Sequence, residues 1–267
     1  MKVLVTGGNG FVGKHIVNYL TTQGYQVFAP SSQELDLRDI LQVQDWFNRN
    51  TVDAVVHCAL SGREDLPSTD SQYLADGLLM FRNLWRVRDK FNKLINLGTA
   101  YELDLNKNNS LVTEDEFLNH LPLSSYGYSK NIIARIIRET DNFFNLRLFG
   151  VFHETESDSR FFKRVKLRDQ VTIFSDIYLD YIYLEDIFPV INSVLLGNCQ
   201  IKDVNVVYDT KYRLSEMAGL LCDYLNLPRS KIVVKHTDNK NLTGDSSKMT
   251  SLNLPAIGLL NGLRKYK

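Results

Sequence analysis

Little in this chain points toward a charged macromolecule, a membrane or a metal. Its 31 lysines and arginines are balanced by 31 aspartates and glutamates, so no net field draws it to nucleic acid or to an anionic bilayer. An anionic ligand must therefore be held by local groups. No apolar run reaches the length of a membrane span, and Met1-Lys2-Val3-Leu4-Val5 enters a strand pattern without the residue order of a signal peptide. Cysteine is scarce: Cys58, Cys199 and Cys222 lie far apart with no metal-ligand spacing, which reads as three reduced core thiols and no metal site. The expectation is a cytoplasmic chain that uses neither nucleic acid nor membrane. No internal repeat or low-complexity segment is present.

What the chain does have is 44% hydrophobic residues over 267 positions, enough for one large core or a core with a smaller lobe. Apolar runs of strand length alternate with longer amphipathic stretches through the first 150 residues, the pattern of βαβ units around a parallel sheet. Strands are predicted at Lys2 to Thr6, Gln26 to Ala29, Ala54 to Ala59, Lys93 to Leu97 and Asn145 to Phe149. Long helices are predicted over Tyr73 to Phe91 and Tyr126 to Thr140, the second with a buried stripe of Ile132, Ile133, Ile136 and Ile137. After Gly150 the alternation breaks into short strands and helices. Residues 1–150 are thus read as a dinucleotide-binding domain, to which later segments return, and 151–267 as mainly a smaller α/β lobe.

The first strand runs into Thr6-Gly7-Gly8-Asn9-Gly10-Phe11-Val12-Gly13. Gly7 permits a tight turn, Gly10 lets backbone amides approach a pyrophosphate, and Gly13 lets the helix pack on the strand. Glycines in a loop are weak evidence by themselves. An apolar strand before and an amphipathic helix after make this a dinucleotide-binding turn, with Phe11 and Val12 in contact with the cofactor.

A second signal is Tyr126-Gly-Tyr-Ser-Lys130 at the start of the isoleucine-striped helix, where tyrosine and lysine fall one turn apart on one face. A lysine ammonium near a phenol is expected to lower the tyrosine pKa toward working pH, as an acid/base tyrosine needs. Upstream, the strand Lys93 to Leu97 ends in Gly98-Thr99. Ligands in open α/β sheets sit outside the carboxyl ends of strands, so Thr99 is placed to bond the same substrate oxygen.

With these motifs in hand, the chain resembles the extended short-chain dehydrogenase/reductase family of nucleotide-sugar epimerases, dehydratases and reductases. The likeness also draws on Glu34-Leu-Asp-Leu-Arg-Asp39, His57-Cys-Ala-Leu60, Leu146-Arg-Leu-Phe-Gly150 and Asp180-Tyr-Ile-Tyr-Leu-Glu-Asp186. It implies a doubly wound parallel (Rossmann) sheet with a carboxy-terminal substrate lobe. It also implies that Thr99, Tyr126 and Lys130 form a catalytic triad, that Asp36 and Leu37 contact adenine, and that Ala59 and Leu60 line the cofactor. By the same resemblance the stretch around Arg160 and Phe161 would cradle the nucleotide half of a nucleotide-sugar substrate, and Thr99, Tyr101 and His153, which follows the sixth strand near the expected active-site rim, are further candidates to touch it. Many relatives dimerise through their two long helices, so a homodimer is expected, although the isoleucine stripe could equally be satisfied by the chain's own sheet.

Which reaction follows depends on the residues after the triad threonine. Members similar to GDP-fucose synthase place a cysteine two residues later and a histidine further on; here Tyr101 and Ser157-Asp-Ser-Arg160 stand in those regions. Dehydratases place Asp-Glu directly after the threonine, whereas Ala100-Tyr101 follows here and Glu102 comes one position late. What remains is hydride transfer at a carbonyl carbon. Reduction of the 4-keto group of a nucleotide-linked deoxy sugar, with Tyr126 as acid, is favoured over a 4-epimerase with tightly bound NAD and over a non-catalytic NADP-binding regulator. At the end of the second strand no acidic residue precedes Glu34, and Ser31 and Ser32 are placed to donate to a 2′-phosphate. NADP(H) is accordingly preferred to NAD(H). His57, in an apolar strand, is read as a satisfied core histidine.

Overall fold

A computed structural model describes residues 1–61, 69–237 and 240–267. Twelve strands are described: β1 (Lys2–Thr6), β2 (Gln26–Phe28), β3 (Ala54–His57), β4 (Lys93–Thr99), β5 (Asn109–Val112), β6 (Phe143–Leu148), β7 (Gly150–Phe152), β8 (Val171–Ile173), β9 (Tyr181–Tyr183), β10 (Asp203–Val206), β11 (Ile232–Val234) and β12 (Leu242–Gly244). The longer helices are α1 (Phe11–Thr22), α2 (Ile40–Arg49), α3 (Asp70–Arg86) and α4 (Ser125–Glu139), followed by α5 (Phe161–Leu167), α6 (Phe188–Leu196), α7 (Leu214–Leu225), α8 (Ser247–Ser251) and α9 (Leu259–Arg264).

Six strands form one sheet in the order β10-β6-β4-β3-β1-β2. The pairings of β1 with β2 and β3, and of β3 with β4, are parallel. Strands β1, β3, β4 and β6 are buried almost throughout, as a sheet covered on both faces requires. On one face Leu4, Val55 and Leu94 pack with Val43 and Phe47 of α2, Phe81 and Leu84 of α3, and Ile133 and Ile137 of α4. Val3 and Val5 alternate to the other face, where α1 packs on β1 and β2. The chain leaves β1 for β2 on one side and returns to β3 on the other. The crevice outside the carboxyl ends of β1 and β3 is therefore the topological switch point, where open α/β sheets bind ligands.

The chain divides into two units. The first comprises Met1–Asp104, Asp115–Arg147 and Ile191–Val204; the second comprises Leu105–Glu114, Leu148–Val190 and Asn205–Lys267. Within the second, β7–β9, β8–β11 and β5–β12 are two-stranded parallel pairs. Its core is aromatic: Phe152, Phe162, Tyr183 and Tyr266 cluster with Met217, Leu221 and Leu263.

Several elements differ from the sequence expectation. The helix expected from Tyr73 starts at Asp70 because Thr69 and Gln72 form a capping box, with the Thr69 amide donating to Gln72 Oε1 at 2.8 Å. It stops at Arg86, and a separate 3-10 turn covers Arg88–Lys90. Of the expected isoleucine stripe only Ile133 and Ile137 are buried; Ile132 is half-buried and Ile136 is exposed, because the inward face of α4 continues through Ala134 and Lys130.

Candidate active site

The turn after β1 is shaped by steric necessity. Gly7 adopts φ +68°, and a Cβ there would come within 2.7 Å of the Ala59 backbone. A Cβ at Gly13 would overlap the Gly7 carbonyl oxygen. Gly10 is the N-cap of α1, its amide donates to the Gly7 carbonyl at 2.9 Å, and no side chain caps the helix. An anion is favoured at this uncapped helix start, where the dipole is positive. A dinucleotide pyrophosphate fits here, because Gly7 and Gly13 let the turn close tightly on Ala59 and on α1, and Gly10 carries no side chain at the uncapped start of that helix.

Around that turn the structure places the other expected cofactor residues. Ala59, next to Gly7, and the exposed Leu60 follow β3. The loop after β2 is fastened by side chains: Asn83 of α3 donates to the Leu37 and Arg38 carbonyls at 2.9 and 3.0 Å, and Asp36 accepts three bonds from the Arg38 guanidinium. Leu37 is buried. Ser31 departs from expectation. Its amide and hydroxyl both donate to the Glu34 carboxylate at 2.8 Å, and these bonds hold the Glu34 carboxyl below its ordinary range. To meet a 2′-phosphate the Ser31 hydroxyl would have to exchange this carboxylate for it.

The catalytic candidates converge at the carboxyl end of β4. Its last residue, Thr99, caps a 3-10 turn over Ala100–Glu102, its Oγ1 accepting from the Tyr101 amide at 3.3 Å. Ser124 caps α4 by accepting from the Gly127 amide at 3.1 Å, which sets Tyr126 and Lys130 in the helix's first turns. The Thr99 side chain stands close enough to the Tyr126 phenol to lower its pKa. Two other rings meet it edge-on, Tyr73 at 5.8 Å and Tyr101 at 5.6 Å between centroids. Lys130 is buried, and its Nζ donates to the Leu97 carbonyl at 3.0 Å.

The electrostatics correct one expectation. Burial pushes the Tyr126 phenol up to about 12, the Thr99 side chain working against the rise and the Glu102 carboxylate adding to it. The expected lowering by Lys130 is not among its causes, and the ammonium donates to the Leu97 carbonyl. Burial instead lowers the Lys130 pKa, opposed chiefly by Glu102. The phenol therefore holds its proton at neutral pH, the state a proton donor needs. His57 is buried with Nδ1 2.8 Å from Thr6 Oγ1, and burial together with the nearby Lys130 takes its pKa down to about 3. It is a neutral core residue.

Of the expected substrate residues, Tyr101 lies beside Tyr126, while His153, Arg160 and Phe161 belong to the second unit. His153 is buried and stacked on Tyr183 at 5.3 Å, with Nδ1 2.8 Å from Thr155 Oγ1. Arg160 stands at the N-cap position of α5 without capping it, and its guanidinium donates to the Val151 carbonyl at 2.6 Å and to Glu156 at 3.2 Å. Phe161 stacks on Tyr181. Sequence reasoning missed Asn83 and the ionic cluster of Glu102, Arg147 and Asp203 next to Thr99. The spacing Thr99-x-x-Glu102 is that of a capping box and was the one available signal. Among the described residues no group of three or more histidine, cysteine or acidic side chains could hold a metal, and no helix is long and apolar enough to cross a membrane.

Comparison with known proteins agrees with this geometry. The model of the NAD dependent epimerase/dehydratase family matches residues 3–205. The GDP-6-deoxy-D-talose 4-dehydrogenase of Aggregatibacter actinomycetemcomitans is 24% identical over 94% of this chain and 91% of that protein. A GDP-L-fucose synthase of Azorhizobium caulinodans is 33% identical, over 37% of this chain and only 33% of its own length. Among solved structures, the GDP-mannoheptose C4 reductase of Campylobacter jejuni, determined with NADP bound, superposes with a TM-score of 0.82 at 18% identity, covering 99% of this chain and 96% of that one. The chain belongs to the NAD dependent epimerase/dehydratase family, within the extended short-chain dehydrogenase/reductases.

Proposed function

We propose that this protein reduces the 4-keto group of a nucleotide-linked deoxy sugar, using NADP(H) ahead of NAD(H). The observation that carries the reading is the convergence of Thr99, at the end of β4, with Tyr126 and Lys130 of α4, where Lys130 Nζ donates to the Leu97 carbonyl of the same strand. The dinucleotide, when bound, supplies the hydride. The Gly7–Gly13 turn would hold its pyrophosphate through Gly10, Phe11 and Val12, with Asp36, Leu37, Ala59 and Leu60 along the adenosine side and Ser31 and Ser32 toward the 2′ position. Lys130 would steady the nicotinamide ribose.

The chain's own part is to orient the carbonyl and manage one proton. As negative charge builds on the substrate oxygen, the Thr99 and Tyr126 hydroxyls stabilise it and the phenol delivers its proton there. Tyr101 would border the sugar. Residues 1–150 serve the dinucleotide, and residues 151–267, with His153, Arg160 and Phe161, serve the sugar nucleotide. The protein would work as a cytoplasmic homodimer without nucleic acid. The relatives named above, two of them described as acting at carbon 4 of a GDP-linked sugar, support this reading over dehydration.

The test offers NADPH or NADH with GDP-, dTDP-, CDP- and UDP-linked 4-keto sugars and follows absorbance at the nicotinamide band. Stoichiometric cofactor consumption is expected. Interconversion of sugars with bound, unconsumed cofactor would replace the reading by a 4-epimerase, and no reaction with any donor would favour a regulatory role.

A further inference from the structure

Next to the catalytic threonine lies a buried ionic cluster that proton transfer does not itself require. Glu102 and Arg147 are almost fully buried, and Asp203 of β10 completes the group. Glu102 Oε1 accepts from the Thr99 amide at 2.9 Å, and Oε2 accepts from Arg147 Nε at 2.7 Å. The guanidinium also donates to Asp203 at 2.8 Å and lies 4.9 Å from the centre of the Phe117 ring. Asn145 donates to Glu102 Oε2 at 3.3 Å and accepts from Asn96 at 2.7 Å. The main chain of Glu102 is held as well, its carbonyl accepting from Asn131 of α4 at 2.7 Å. At Gly98 a Cβ would collide with the Glu102 carboxylate, so the strand itself makes room for it.

Such a cluster is a poor source of stability. Taking a carboxylate and a guanidinium out of water costs several kcal/mol per ion, and well-packed apolar residues often serve as well or better. What this carboxylate does that a leucine would not is accept the Thr99 amide from a fixed position. The carboxylate thus fastens the end of β4, which carries Thr99, to a turn whose main-chain carbonyl is already tied to Asn131 of α4, the helix that carries Tyr126 and Lys130.

We propose that Glu102, clamped by Arg147, is a positioning residue that holds Thr99 and the start of α4 in register so that the Thr99 and Tyr126 hydroxyls converge on one substrate oxygen. The inference rests on the reductase reading of the same site. The charge has a second consequence there, since the Glu102 carboxylate favours the protonated forms of both Tyr126 and Lys130. The charged and titratable groups around it are Arg147 on β6, Asp203 on β10, and Tyr126 and Lys130 on α4.

The test is Glu102→Gln in the full-length protein, followed by turnover and by amide exchange at Thr99. A misplaced catalytic group costs tenfold to a hundredfold, so kcat should fall at least about tenfold while KM for the cofactor stays within about twofold. The alkaline limb of the pH profile should move to lower pH, and the Thr99 amide should exchange at least about tenfold faster. Should that variant fail to fold, Glu102→Leu/Arg147→Met/Asp203→Asn removes all three charges together and is expected to fold with the same loss of kcat. Wild-type kcat in a folded variant of either kind, with unchanged Thr99 exchange in Glu102→Gln, would overturn the proposal. A wild-type chain that reduces no keto sugar fails the reductase reading instead, and Thr99 exchange then decides the clamp alone.

Discussion

Tyr126 is packed against Tyr73 and Tyr101 beside Thr99, and burial raises its phenol to about 12 from an ordinary 10.0. In the direction of reduction the donor is therefore protonated throughout the neutral range, and kcat should be flat from about pH 6 to about pH 9 as far as this group sets it. In the direction of oxidation the phenolate is required, so the rate should rise with pH by about tenfold per unit. Tyr126→Phe keeps the ring and removes the proton, and turnover should fall about 100-fold or more with cofactor affinity nearly unchanged. Fluorescence titration of NADPH beside turnover checks both halves; a mild loss of kcat would move the proton to another group. The same shift bears on stability. Because the phenol ionises at lower pH in the unfolded chain, its contribution is whole below pH 10.0 and is lost as pH rises toward about 12. Tyr126→Phe should lack that share of the alkaline destabilisation, as melting temperatures at the two ends of the window would show.

At the scale of elements, the phosphate turn and the loop after β2 make separable predictions. Gly10 has ordinary backbone angles, and a Cβ there would stand 3.2 Å from the Gly7 oxygen, so Gly10→Val should fold and yet fill the pyrophosphate cradle. Nicotinamide fluorescence should show cofactor binding abolished, and unchanged affinity would mean the cradle is misplaced. In the neighbouring loop Glu34 sets a carboxylate beside Ser31. Glu34→Gln should raise the NADP to NAD affinity ratio by at least about threefold, like charges at an exposed site being worth little more; an unchanged ratio would detach this loop from the 2′ position. These elements were legible because their signals are local. β1 falls where the apolar run placed it, and the glycine spacing survives as geometry. The Glu34–Ser31 bond was not legible, since composition says which side chains are near but not which one takes the hydroxyl. Glu102 and Arg147 are 45 residues apart in sequence and meet only because β4 and β6 are neighbours in the sheet. Nor does a Tyr-x-x-x-Lys pair say where the lysine points; the Leu97 carbonyl decides that in the fold.

The whole molecule raises the question of what covers the outer face of its two longest helices. α3 and α4 pack on each other, joined near their starts by Ser125 donating to Asp70 at 2.6 Å and by the Tyr73–Tyr126 ring contact. Their inner residues, Phe81 and Leu84 with Ile133 and Ile137, are spent on the sheet. That leaves Ile132 and Leu74 half-buried and Ile136 at 37% exposure on a helix that otherwise turns Arg138 and Glu139 outward. A single exposed isoleucine needs no explanation. A row of partly covered aliphatic side chains along two adjacent long helices is what an isologous four-helix interface uses, each helix pair meeting its copy across a two-fold axis. We therefore expect a homodimer at micromolar concentration. Ile136→Glu places a charge where the copy would pack, and as its side chain is not part of the core, the fold and cofactor affinity should survive. The dimer dissociation constant should rise at least about tenfold, as for a central apolar anchor. Light scattering over a concentration series decides it: a wild-type monomer at micromolar concentration rejects the dimer, and a dimer indifferent to Ile136→Glu places the interface on another face.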